Sequence, residues 1–152
     1  MNAISIHIAG LVDQAKVGAL FNAYRQFYEQ ADDLNLATDF IGQRMALKQS
    51  VILLAQDDAG QPLGFCQLYP TFCSVEAVPI YTLYDLFVNP IARRLGVAKA
   101  LLAKAEQVAQ QNGMRRMDLS TAKTNTSAQA LYESLGWLRD EVYLTYNLKV
   151  GS

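Results

Sequence analysis

The sequence predicts an α/β domain: one mixed sheet, helices on both of its faces, and elements in the order β-α-α-β-β-β-α-β-α-β. Three observations carry this. Ile4, Ile6 and Ile8 alternate with Ser5, His7 and Ala9, the period of a strand with one buried face. Two apolar runs, Val51 to Gln56 and Leu63 to Tyr69, flank Asp57-Asp58-Ala59-Gly60, a turn by its chemistry, and so make an antiparallel hairpin. Ile80 to Val88 and Met117 to Thr121 read as strands with an amphipathic helix between them, a βαβ unit whose strands should be parallel and close.

The remaining elements follow from local chemistry. Asp13 can cap a helix whose Val17, Leu20, Phe21, Tyr24, Phe27 and Tyr28 fall at three-and-four spacing and which ends before Asp32-Asp33. A less regular helix is expected from about Leu36 to Lys48, burying Phe40, Ile41 and Leu47. Pro70 should break or bend the returning strand of the hairpin, because proline has no N–H for a ladder. Thr71 to Pro79 is then a loop or an irregular strand end. Ile80 to Val88 is rich in β-formers and is stopped by Pro90. Val97, Leu101, Ala105 and Val108, widened by Leu102 and Ala109, set a helix over about Gly96 to Gln111 that Asn112-Gly113 ends. Another helix spans roughly Thr126 to Leu135 and stops at Gly136. Glu141 to Lys149, where Leu144, Tyr146 and Leu148 alternate, is the expected last strand.

At 152 residues, 51% of them hydrophobic, the chain 1–152 reads as a single domain with one core. A formal net charge of −1 gives no overall electrostatic case for nucleic acid or for an anionic membrane. The longest strongly apolar run, Val51 to Ala55, is far too short to cross a bilayer, and MNAISIHIAG lacks the features of a signal peptide, so a cytoplasmic location is expected. Cys66 and Cys73 are the only cysteines and read as reduced thiols. His7, the sole histidine, has no partners for a metal or a triad, and no metal is expected.

Chemistry concentrates between residues 80 and 99. Where the helix begins near Leu95 or Gly96, its first turn carries unpaired N–H groups and the positive end of the peptide dipoles, which favour an anion. Gly96 lets a ligand approach the backbone, and Arg93, Arg94 and Lys99 add charge suited to phosphate oxygens. The stretch Arg93-Arg94-Leu95-Gly96-Val97-Ala98 resembles the Arg/Gln-x-x-Gly-x-Gly/Ala loop of the GCN5-related N-acetyltransferase (GNAT) superfamily, which holds the pyrophosphate of acetyl-CoA. Starting 27 residues after Ala98, Asn125-Thr126-Ser127-Ala128-Gln129-Ala130-Leu131-Tyr132-Glu133-Ser134-Leu135-Gly136-Trp137 resembles the same superfamily's Asn-x-x-Ala-x-x-Leu-Tyr-x-x-x-Gly-Phe segment. The two patterns stand in the family's order and separation. The resemblance covers residues 80 to 137 well and the remainder in its pattern of elements.

The resemblance implies the GNAT fold, with a central pair of parallel strands splayed by a bulge, and an enzyme that uses acetyl-CoA. It implies that Arg93, Arg94, Leu95, Gly96, Val97, Ala98 and Lys99 hold the pyrophosphate, that backbone groups of Leu86, Phe87 and Val88 meet the pantetheine arm, and that Asn125 and Tyr132 complete the coenzyme site. Leu131 and Trp137 read as core. The matching tyrosine in the family lies beside the sulfur of the coenzyme. Tyr132, a phenol of pKa about 10, can protonate a leaving thiolate of pKa about 8.5.

Attack needs a neutral amine, whereas an alkyl ammonium of pKa about 10.4 is neutral in fewer than about one molecule in a thousand at pH 7. Asp85 is the one ionisable acid in the central strand, and alternation places it with Tyr81, Leu83 and Phe87. Its burial would be costly without a partner, which favours a site. In the related polyamine and diamine acetyltransferases a Glu-Asp pair precedes the matching aromatic and valine. Here Tyr84 takes the Glu position, so the base is left open between Asp85 and water.

The acceptor is expected near Tyr28, Tyr84 and Asp85. Tyr24, Phe27, Tyr69, Phe72 and Tyr81 add aromatic faces for an ammonium, and Glu29, Asp32 or Asp33 add charge. The expected function is therefore transfer of acetyl to a primary amine: a small polyamine, an amino-acid-like molecule or a lysine side chain. The alternative is an acyl-CoA-binding sensor without turnover. A nucleotide-binding protein fits less well, because neither Gly-x-Gly-x-x-Gly after a strand nor a P-loop occurs. Whether the chain forms a homodimer is left open; the apolar C-terminal strand could contribute to one.

Overall fold

The structure is a computed structural model that describes residues 3–151. These form two units, one ending at Ser120 and the other beginning at Thr121. In the first unit the elements run β1 (Ser5–Ile8), α1 (Gln14–Phe27), α2 (Leu34–Ala46), β2 (Val51–Gln56), β3 (Pro62–Cys73), β4 (Val78–Val88), α3 (Val97–Gln111) and β5 (Met117–Asp118). The five strands lie in sequence order in one sheet. β1 to β4 pair antiparallel, whereas β4 and β5 pair parallel, so the sheet is mixed as expected.

Each face of the sheet has its own cover. Val17, Leu20 and Phe21 of α1 and Ala37 and Ile41 of α2 cluster with Ile52, Leu54, Phe65 and Phe87. At the crossing of the two helices Gly18 lies so close to Thr38 that a methyl built on it would stand 2.5 Å from Oγ1 and 2.9 Å from Cα. On the other face α3 buries Val97, Leu101, Leu102, Ala105, Val108 and Ala109, the stripe set by its spacing. Gly64 of β3 faces it, because a Cβ there would meet Val97.

The hairpin turn forms as its chemistry requires. Asp57 Oδ1 accepts from the amides of Ala59 and Gln61, and Gly60 adopts φ +80°. Pro70, however, does not end β3. Its partner Tyr81 donates its N–H to Arg116 O, away from β3, so Pro70 and Tyr81 form a non-hydrogen-bonded pair. The proline nitrogen points to the opposite edge, where β2 pairs no further than Leu68, and no bond is lost. β3 and β4 therefore continue to Cys73 and Val78, so of the loop or irregular strand end expected over Thr71 to Pro79 the strand is what forms, with a turn closed by Ala77 N–H on Ser74 O.

One further expectation is corrected. β5 spans Met117–Asp118 rather than reaching Thr121, and pairs with β4 only at Tyr81 and Thr82. The expected bulge lies in β4, just past its last pair with β5 at Thr82: Gln67 pairs with Asp85 and Leu68 with Leu83, which leaves Tyr84 as the extra residue.

In the second unit α4 (Thr126–Ser134) is capped by Asn125, whose Oδ1 accepts from Ala128 N–H at 3.2 Å. Gly136, at φ +94°, closes it with Trp137 N–H on Tyr132 O. The strand expected over Glu141 to Lys149 is not formed. Asp140 Oδ1 accepts from the amides of Val142 and Tyr143, turning the chain where the strand would start, and none of the described residues 141–149 is in a strand.

Candidate active site

Asp85 is 6% exposed, and the bulge decides what it touches. On β3, Gly64, Cys66 and Leu68 face α3, so their partners Val88, Leu86 and Leu83 do too, as does Tyr81 opposite Pro70; Tyr81 Oη accepts from Asn112 Nδ2 at the end of α3. Phe65 and Gln67 point the other way, towards α1, and so do Phe87 and Asp85. The Tyr24 ring lies 5.9 Å from that of Phe87 and 5.7 Å from that of Phe65. Asp85 therefore shares a face with Phe87 but not with Tyr81 and Leu83, because simple alternation fails across an inserted residue.

The carboxylate has two partners. Gln67 Nε2 donates to Asp85 Oδ2 at 2.8 Å, and the Tyr24 hydroxyl bonds to the same carboxyl group. Burial pushes the Asp85 carboxyl above its ordinary value, against those two hydrogen bonds, which favour the charged form. Burial and the charge of Asp85 push the Tyr24 phenol up, and for the same reasons Tyr69 is pushed up to about 12. Burial likewise raises the Cys66 thiol, which is thereby inert as a nucleophile.

Aromatic rings surround this acid. Tyr24 packs edge-on against Tyr28 at 5.2 Å, and Tyr69 against Tyr84 at 5.6 Å. Tyr28 and Tyr84 are exposed, so the group opens to solvent on their side. Other expected contributors are engaged elsewhere. Tyr81 serves the α3 face, Asp32 accepts from Asn22 Nδ2, and Asp33 caps α2. Phe72 stands exposed near the hairpin end.

At the other end of β4, the strand continues past its last pair with β5 at Thr82, so the edge of Leu83–Val88 on that side has no partner strand in the described structure. Phe87 is buried among the α1 aromatics, leaving only its backbone for a ligand. Arg93 Nε donates to Val88 O at 3.3 Å, and its guanidinium lies near the rings of Phe27 and Phe87, so Arg93 fastens the loop to the strand. Arg94, Leu95 and Lys99 are exposed, and Arg94 and Gly96 both take positive φ, +66° and +80°. A methyl built at Gly96 would meet nothing within 4 Å, so the amides opening α3 at Val97, Ala98 and Lys99 are approachable. A diphosphate fits such a helix start.

In the second unit, Tyr132 packs against Trp137 with ring centroids 6.1 Å apart. Asn125 is engaged as the cap of α4. Sequence reasoning missed Gln67 and Ser50, although a lone amide within the apolar run Leu63 to Tyr69 was a signal that a buried partner had to exist. Among the described residues no helix is long and apolar enough to cross a membrane, and no group of acids, histidines and cysteines could hold a metal.

A model of the acetyltransferase (GNAT) family matches residues 17–137. A protein of Bacillus subtilis (strain 168) named "Uncharacterized N-acetyltransferase YhfO" is 44% identical over 147 residues, covering 97% of this chain and 98% of that one. The crystal structure of a probable acetyltransferase is 37% identical with a TM-score of 0.91, covering 97% of this chain and 99% of the other. The aminoglycoside N-acetyltransferase AAC(6')-Iy in complex with CoA, 20% identical, shares the fold with a TM-score of 0.82 over 99% of this chain and 97% of its own. With a family match over most of its length and a relative alike from end to end, the chain belongs to the GNAT acetyltransferase family and is an N-acetyltransferase.

Proposed function

We propose that the protein transfers the acetyl group of acetyl-CoA to a primary amine, either a small polyamine or amino-acid-like molecule or a lysine side chain, by direct attack. The observation that carries this is the buried Asp85 carboxylate at the base of the tyrosines 24, 28, 69 and 84. Aromatic faces and one carboxylate attract an ammonium, and a raised carboxyl pKa suits a group that must take a proton.

Arg94, Lys99 and the first amides of α3 would hold the diphosphate, and the unpaired edge of Leu86–Val88 would receive the pantetheine amides as an added strand would. The thioester supplies the acetyl group and a thiolate leaving group. Asp85 holds the ammonium and takes its proton, directly or through water. Tyr132 donates a proton to the departing sulfur, a role supported by its place in the Asn125 to Trp137 segment.

The test is acetyl-CoA consumption across polyamines, amino acids, aminoglycosides and lysine peptides. Turnover with at least one primary amine, lost in Asp85→Asn, is expected. Coenzyme binding without turnover on any amine would make the protein a sensor and overturn the proposal.

A further inference from the structure

Asp85 is the end of a chain of three side chains. Ser50, half-buried just before β2, donates from Oγ to Gln67 Oε1 at 2.7 Å, and Gln67 Nε2 donates to Asp85 Oδ2 at 2.8 Å. Gln67 is fully buried, so its amide has no water to satisfy it and each end depends on a named partner. We propose that Gln67 is a positioning residue for the reaction, held with its NH2 towards Asp85 by Ser50, so that the carboxylate is tethered at Oδ2 in the orientation in which it meets the acceptor amine. This rests on the reading of Asp85 given above.

The orientation of the amide follows from the charges. A carboxylate accepts only, so the amide must offer it Nε2; Oε1 then faces outward and needs a donor, which the Ser50 hydroxyl provides. A tethered oxygen fixes the carboxylate plane, and a donor at 2.8 Å stabilises the ionised form against its burial. The titratable groups that interact with Asp85 are Tyr24 on α1 and Cys66 and Tyr69 on β3; Tyr28, just past α1, Tyr84 on β4 and Arg44 on α2 act on those tyrosines in turn. Gln67 and Tyr24 are the two that hydrogen-bond to it.

The experiment follows the Asp85 carboxyl by carbon NMR across a pH series in the wild type, Gln67→Met and Ser50→Ala, beside the pH profile of kcat/KM. Methionine nearly keeps the volume and removes the donor. We expect the Asp85 midpoint to rise by about one unit in Gln67→Met and by less in Ser50→Ala, with the acidic limb of kcat/KM moving by the same amounts, about tenfold in rate below the limb for one unit. A folded Gln67→Met with an unmoved Asp85 midpoint would overturn the proposal, as would a Ser50→Ala protein indistinguishable from wild type in both readouts. The NMR midpoint is independent of turnover. A shifted midpoint with an unshifted rate profile would therefore count against Asp85 as the base, while an unshifted midpoint counts against Gln67.

Discussion

Leu83 and Asp85, two residues apart on one strand, point to opposite faces of the sheet, because Tyr84 is an extra residue with no partner on β3. Regular alternation would turn Asp85 towards α3 and its aliphatic stripe. The bulge instead brings the carboxylate to Gln67 and Tyr24, beneath the aromatic side chains of α1.

Replacing Asp85 with Asn should lower kcat/KM about 100-fold or more and abolish its acidic limb, which in the wild type lies above the ordinary carboxylate range. The stability effect has a definite sign. The folded pKa exceeds the unfolded one, so the folded state binds the proton more tightly, and this contribution is present below the ordinary value of 3.8 and lost as pH rises through the raised value. Urea midpoints should therefore favour Asp85→Asn relative to wild type at neutral pH, with the gap closing in acid. A gap that widened in acid would contradict the assignment.

Gly96 holds φ +80° in open space, so alanine there meets strain but no clash. A left-handed alanine costs about 1 kcal/mol, and Gly96→Ala should weaken acetyl-CoA about fivefold by calorimetry. Arg94→Ala should weaken it by a similar factor and reduce the salt dependence of binding, whereas Gly96→Ala should leave that dependence unchanged.

Tyr132→Phe should bind acetyl-CoA as the wild type does while kcat falls about 100-fold. The comparison needs calorimetry and single-turnover rates on the same preparation. An equal loss of binding and rate would assign Tyr132 to the binding of the coenzyme, and an unchanged rate would remove it from the chemistry.

Gly18→Ala is a substitution that helix propensity alone would favour by about 1 kcal/mol. Here the new methyl would stand 2.9 Å from Thr38 Cα, a backbone atom that moves only with α2. Overpacking of that kind costs about 1–3 kcal/mol, so thermal unfolding should occur several degrees lower. An unchanged or higher midpoint would show that α2 shifts freely.

The strands β1 to β4, the helix α3 with its buried stripe and the turn at Asp57 to Gly60 were legible in the sequence, because each is set by residues within a few positions of one another. The loop and the Asn125 to Trp137 segment were legible for the same reason: amides at a helix start and a fixed run of positions are local. The continuation of β3 through Pro70, the face of Asp85, the Ser50–Gln67–Asp85 chain and the loss of the last strand were not. Each depends on which strand lies opposite. A proline is harmless only if its nitrogen faces an empty edge, a carboxylate changes face only if its neighbour strand is one residue short, and alternating apolar residues become a strand only when another backbone pairs with them.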